Sequence, residues 1–161
     1  MRLTFAPMTE RDVRTVAGWT YEPPYDIYNL DAAPLDDLLA ALLDPRNAYY
    51  AITDEAGDLI GFCCYGPDAR IPGGDYTAPA VDVGIGLRPD LTGRGLGPAV
   101  IGAVLDFADA IMHPTMFRTT IAAFNQRSIR AFERVGFQEV GRFTGDTEPR
   151  EWVQLTLPQP R

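Results

Sequence analysis

The run Gly93-Arg94-Gly95-Leu96-Gly97 leads directly through Pro98 into an apolar helical pattern that begins at Ala99. Three glycines at alternate positions carry no β-carbons to hold a ligand away. Successive main-chain N–H groups can therefore converge on one place, to which the helix start adds its positive dipole end. An anion belongs there, most simply a phosphate. Pro98 costs nothing in the first helical turn, because its missing N–H falls among those that lack a helical partner. Two rival phosphate motifs fail on the same letters. A P-loop needs Gly-Lys followed by Ser or Thr, and the chain has no Gly-Lys pair. A dinucleotide-binding turn needs Gly-x-Gly-x-x-Gly and an acid closing the next strand. Here the spacing is Gly-x-Gly-x-Gly, and the following strand pattern, near residues 117–123, holds no acid.

Further along, Asn125-Gln126-Arg127-Ser128-Ile129-Arg130-Ala131-Phe132-Glu133-Arg134-Val135-Gly136-Phe137 follows one strand after the glycine helix. This run closely resembles the second signature of the GNAT superfamily of acyl-CoA N-acyltransferases. The first signature, Gln/Arg-x-x-Gly-x-Gly/Ala after a strand, falls on Thr92, Gly93, Arg94, Gly95, Leu96 and Gly97. The likeness covers residues 80–140 well, and residues 1–75 only in the order of elements. Two positions depart from the pattern. Thr92 stands where the family has Gln or Arg, which removes one long donor and leaves the backbone amides. Phe132 stands where many members carry a tyrosine that protonates the departing thiolate, and it has no proton to give.

The resemblance implies acetyl-CoA as co-substrate, with its pyrophosphate on the amides of residues 93–97. It also implies that the pantetheine arm and thioester oxygen face free backbone groups at Ile85 and Leu87. Gly84 and Gly86 flank Ile85 and permit close backbone approach, although strand glycines equally mark a bulge. Asn125 resembles the family residue that bonds the pantetheine, and it can serve as an N-cap at the same time. Asn125, Ser128 and Phe132 share one helix face at about 100° per residue, with Arg127, Arg130 and Arg134 opposite. Ser128 is the nearest hydroxyl to stand in for the absent tyrosine. Arg94 lies in the turn and is a better phosphate partner than Arg130.

An amine nucleophile has a pKa near 10 and needs to lose a proton, so a base helps. Asp82 occupies the strand position where many superfamily members carry Glu, among the apolar residues Ala80, Val81, Val83 and Ile85. It reads either as that base, acting through a water, or as a carboxylate paired with a neighbouring arginine. The aromatic segment 19–29 lies where the superfamily builds its acceptor site. It reads either as an aromatic, anionic wall for a cationic amine, formed by Glu22, Tyr25, Asp26 and Tyr28, or as a hydrophobic plug under the first helices. His113, the only histidine, sits at a helix end, where it caps carbonyls. No Cys or Ser falls with a His in a nucleophile motif, so direct transfer in a ternary complex is expected rather than a covalent intermediate. A non-catalytic acyl-CoA-binding sensor is the alternative from another class.

Composition agrees with these expectations. The chain has 161 residues, 46% of them hydrophobic, the size of one domain. A net charge of -8 argues against nucleic acid, which is bound by clustered Lys and Arg. The same acidity reads either as solubility or as attraction of a cationic acceptor, whether a small molecule or a peptide amine. No run approaches the roughly 20 apolar residues that span a bilayer, and residues 1–7 make no secretion signal, so a cytoplasmic protein with no membrane partner is expected. Cys63 and Cys64 are strand neighbours whose side chains face opposite ways, so both are expected to be reduced. No metal is expected, and a homodimer is possible because the family often pairs through its last strands.

The elements that must position these groups follow from patterning. A strand at 3–6 is followed by a capping box, Thr9 with Asp12, that opens a helix toward Trp19. Leucines at helical spacing mark residues 34–43 as a helix ended by Asp44-Pro45. Strands at 48–53 and 59–65 flank a hairpin turn at 55–58. After the signature strand and its helix come a strand at 117–123, a helix at 125–135, and strands at 139–143 and 152–157. The order β-α-α-β-β-β-α-β-α-β-β is that of the GNAT fold, an α/β (α+β) arrangement with a mixed central sheet of six or seven strands and about four helices.

Overall fold

The computed structural model describes residues 1–160. Seven strands form one mixed sheet in the order β1-β2-β3-β4-β5-β7-β6, accompanied by four α-helices. The chain divides into two compact units, Met1–Cys64 with Ile85–Arg94, and Tyr65–Gly84 with Gly95–Arg161. The strand β4 (Val81–Leu87) contributes to both.

In the first unit, β1 (Thr4–Pro7), β2 (Tyr49–Thr53) and β3 (Leu59–Tyr65) pair antiparallel in that order. The β2–β3 turn is organised by Asp54, whose Oδ1 accepts from the N–H groups of Ala56 and Asp58. Helix α1 (Glu10–Ala17) starts at the expected capping box: Thr9 Oγ1 accepts from Asp12 N at 3.2 Å, and Asp12 Oδ2 accepts from Thr9 N at 3.0 Å. It buries Val13 and Val16, while α2 (Leu35–Leu43) buries Leu38 and Leu42. These four close a core with Met8 and Ala51, against which Trp19 and Phe62 pack. Residues 25–28, in the middle of the aromatic segment, form a single 3-10 turn.

In the second unit, β5 (Met116–Ala122) runs parallel to β4, antiparallel to β7 (Glu151–Pro158), and β7 pairs antiparallel with the edge strand β6 (Gln138–Thr144). Helix α3 (Gly97–Met112) buries Val100, Ile101, Val104, Leu105 and Ala108. It ends at His113, which is itself the left-handed C-cap residue and donates its N–H to Asp109 O. Helix α4 (Gln126–Val135) buries Ile129 and Phe132 and ends at Gly136, φ 116°. Every strand and helix expected from patterning is present, with ends displaced by a residue or two, as is usual at element termini.

Candidate functional site

The β4–β5 ladder covers only Val81 with Phe117 and Asp82 with Arg118. At the far end of β4, Arg88 donates its N–H to Ile60 O on β3 at 2.8 Å. The C=O and N–H of a trans peptide point opposite ways, so the Leu87 carbonyl faces away from β3. Strand alternation sends the N–H of Leu87 to that same side. The glycine at 86 is dictated by packing: a β-carbon there would run into the Phe62 ring. At Gly86 the close approach is thus by Phe62.

Beyond β4, residues 89–91 make a 3-10 turn, and Thr92 Oγ1 donates to Pro89 O at 2.7 Å. The Thr92 hydroxyl is spent inside the turn. Gly93 and Gly95 then adopt φ of 72° and 77°. A β-carbon on Gly95 would meet nothing within 4 Å, so the demand for glycine here is conformational and the space beside it is open. Gly97 differs: its β-carbon would come within 2.9 Å of Ala131 Cβ, so it serves the close packing of α3 on α4. Helix α3 has no side-chain cap at Leu96, Pro98 in its first turn and no acid there. Sixteen residues of aligned dipole therefore end in main-chain N–H donors with exposed Arg94 nearby in sequence. This donor set fits a diphosphate.

On α4, Asn125 is buried and its Oδ1 accepts from Ser128 N at 3.1 Å, the N-cap role expected of it. Ser128 is half-buried, and Arg127, Arg130 and Arg134 are exposed on the other side. Phe132 is explained by the end of its helix. Phe137 N donates to Phe132 O and Gly136 N to Glu133 O, the paired bonds of a Schellman motif. The side chains that accompany such a motif are Phe132 and Phe137, edge to face at 5.1 Å. A buried core role thus occupies the position of the family's tyrosine.

Asp82 is 1% exposed, and both of its oxygens are bonded to guanidinium groups. Arg118 contributes Nε to Oδ1 at 2.6 Å and Nη2 to Oδ2 at 2.9 Å, and Arg70 adds Nε to Oδ2 at 2.8 Å. Both arginines lie over the Tyr76 ring, at 4.8 and 5.4 Å, and the Tyr76 hydroxyl pairs with Thr120 Oγ1. The hydrogen bonds that Arg118 donates to Asp82 chiefly hold its pKa above its ordinary value. Of the two readings open for Asp82, the structure has the ion pair, and the carboxylate is turned away from bulk solvent.

In the first unit, Glu22 and Asp26 are exposed, while Tyr25 and Tyr28 are half-buried in the 3-10 turn. A tyrosine outside that set reaches β4. Tyr21 donates its hydroxyl to Leu87 O at 2.6 Å, and its N–H to Asn29 Oδ1 at 2.8 Å. Burial pushes its pKa up to about 12. Sequence alone had no signal for this residue beyond its place in the aromatic run. Among the described residues no cluster of His, Cys, Asp or Glu could hold a metal ion.

A family model for the GNAT acetyltransferase domain matches residues 2–138. The chain belongs to the GNAT acetyltransferase family. It is accordingly an acetyl-CoA-dependent N-acetyltransferase. Solved structures with the same fold include a spermidine N-acetyltransferase chimera from Vibrio cholerae, 19% identical, TM-score 0.77, covering 98% of this chain and 96% of that one. An acetyltransferase of the GNAT family from Bacillus anthracis is 14% identical with a TM-score of 0.76, covering 98% and 95%. An aminoglycoside acetyltransferase in complex with coenzyme A is 19% identical with a TM-score of 0.74, covering 98% and 95%. No curated protein matches by sequence. No helix among the described residues is long and apolar enough to cross a membrane.

Proposed function

We propose that this GNAT enzyme transfers the acetyl group of acetyl-CoA to a primary amine by direct attack within a ternary complex. The observation that carries the reading is the end of β4. Its ladder with β5 stops at Asp82, the N–H of Leu87 faces away from β3, and the chain runs on into two left-handed glycines and an uncapped helix. Main-chain donors at 93–97, with Arg94, hold the diphosphate. Ile85 and Leu87 bind the pantetheine arm, with Asn125 as a further contact, and the Leu87 N–H is held ready for the thioester oxygen. Acetyl-CoA supplies an acyl group on a thiol of pKa about 8.5, a leaving group that departs without an enzymic acid. Phe132 is therefore compatible with turnover, and Ser128 is the nearest hydroxyl on that helix face.

For the acceptor, we infer a cationic amine. Glu22, Asp26, Tyr25 and Tyr28 offer carboxylates and rings of the kind that select an ammonium group, and the net charge of -8 draws cations generally. Polyamines and aminoglycosides, the acceptors named for two of the solved structures above, are the first to try. The test is free-thiol release from acetyl-CoA with a panel of polyamines, aminoglycosides and peptide amines. Turnover with a polycationic amine supports the reading. Coenzyme A binding with no thiol release on any amine would make the chain an acyl-CoA sensor, the reading that buried Phe132 favours.

A further inference from the structure

The hydroxyl of Tyr21 lies on the side of β4 away from β3, because it donates to the Leu87 carbonyl, and that carbonyl points opposite to the Arg88 N–H bound by Ile60. The peptide between Leu87 and Arg88 is thus clamped at both ends, at 2.6 Å by Tyr21 and at 2.8 Å by Ile60. Tyr21 is itself fixed, since its N–H is bonded to Asn29 Oδ1 at the other end of the aromatic segment. Its one proton is committed to Leu87. The only hydrogen-bond capacity left on the phenol oxygen is as an acceptor. Burial that raises the pKa to about 12 keeps the group a neutral phenol at every pH at which an enzyme of this kind is assayed.

We propose that Tyr21 orients the acceptor: its phenol oxygen takes an N–H of the incoming amine beside Leu87, while its hydroxyl proton and backbone N–H hold the segment 21–29 against the free side of β4. This inference rests on the transferase reading above and deepens it. A neutral amine has one lone pair and several N–H groups. Fixing one N–H on an oxygen beside the Leu87 amide turns the lone pair toward the acyl carbon, which is what a near-attack geometry requires. No bond to Tyr21 forms or breaks.

The test compares Tyr21→Phe and Asn29→Ala with wild type. The measurements are kcat and KM for an accepted amine, coenzyme A affinity by calorimetry, and the melting temperature. Tyr21→Phe keeps the ring and removes only the hydroxyl. The expected result is a fall in kcat/KM for the amine of about tenfold, the scale of one well-placed hydrogen bond, with coenzyme A affinity unchanged within about twofold. Asn29→Ala leaves the phenol in place and loosens its segment, so it raises KM for the amine more than it lowers kcat. Amine kinetics unaltered in Tyr21→Phe overturn the proposal. So does a loss of coenzyme A affinity as large as the loss of turnover, because Tyr21 would then only brace the strand. Wild-type protein that binds coenzyme A yet releases no thiol with any amine overturns the transferase reading and this inference with it.

Discussion

Asp82→Asn separates an anchor from a base. The Asp82 side chain is 1% exposed and Arg118 4%, so removing the carboxylate charge leaves a buried guanidinium uncompensated. Breaking such a pair costs about 3–5 kcal/mol, out of a total stability of roughly 5–15 kcal/mol. At about 2–4 °C per kcal/mol for a chain of this length, the melting temperature should fall by about 6–20 °C. Arg70 is 40% exposed, and Arg70→Ala should cost no more than about 1 kcal/mol. Replacing both buried partners, as Asp82→Leu with Arg118→Met, should recover most of the loss, because no charge is left stranded. Thermal unfolding by circular dichroism reads all three. Activity measured well below the melting transition should fall less than tenfold in Asp82→Asn, with its pH profile unchanged in shape. A variant that melts like wild type and loses about 10²–10⁴ in kcat/KM, together with the acidic limb of the profile, would refute the anchor assignment and restore Asp82 as the base.

Two other perturbations follow from the same geometry. Phe132→Tyr adds a hydroxyl to a ring that is 5% exposed and packed edge-on against Phe137, so it should lower stability by about 1–3 kcal/mol without raising kcat; a tenfold gain in kcat would show that the thiolate does need an acid at this place. Tyr21 has a folded-state pKa of about 12 against 10.0 unfolded. Between those values the unfolded chain has lost the proton and the folded one has kept it, so stability contributed by the neutral phenol is complete below pH 10 and declines as pH rises toward 12. Urea unfolding should therefore show a steeper alkaline decline for wild type than for Tyr21→Phe, and parallel curves would contradict the buried, hydrogen-bonded phenol.

What was legible in the sequence was local. The Thr9–Asp12 capping box, the Asn125 N-cap on Ser128 and the left-handed glycines before α3 each depend on residues within three or four positions of one another. Their geometry is written into adjacent letters. What was not legible depends on partners far along the chain. Asp82 meets Arg118 because β4 and β5 pair in parallel at that register, 36 residues apart, so an arginine partner could be offered from the sequence but not which arginine it would be. Tyr21 reaches β4 through a contact 66 residues long. Gly86 and Gly97 read as a means of approach for a ligand, yet a β-carbon at either would strike Phe62 or Ala131. A glycine shows that something comes close, and only the fold tells what.

The account stands or falls on the main-chain turn at 93–97, and calorimetric titration of coenzyme A into wild type and Gly95→Val tests it most directly. A β-carbon at Gly95 meets no neighbour but is forced into a left-handed φ, at about 1–2 kcal/mol, so the turn should yield its shape and binding should weaken about tenfold with the fold intact. Equal affinity in the two proteins, or no heat with wild type, would contradict it.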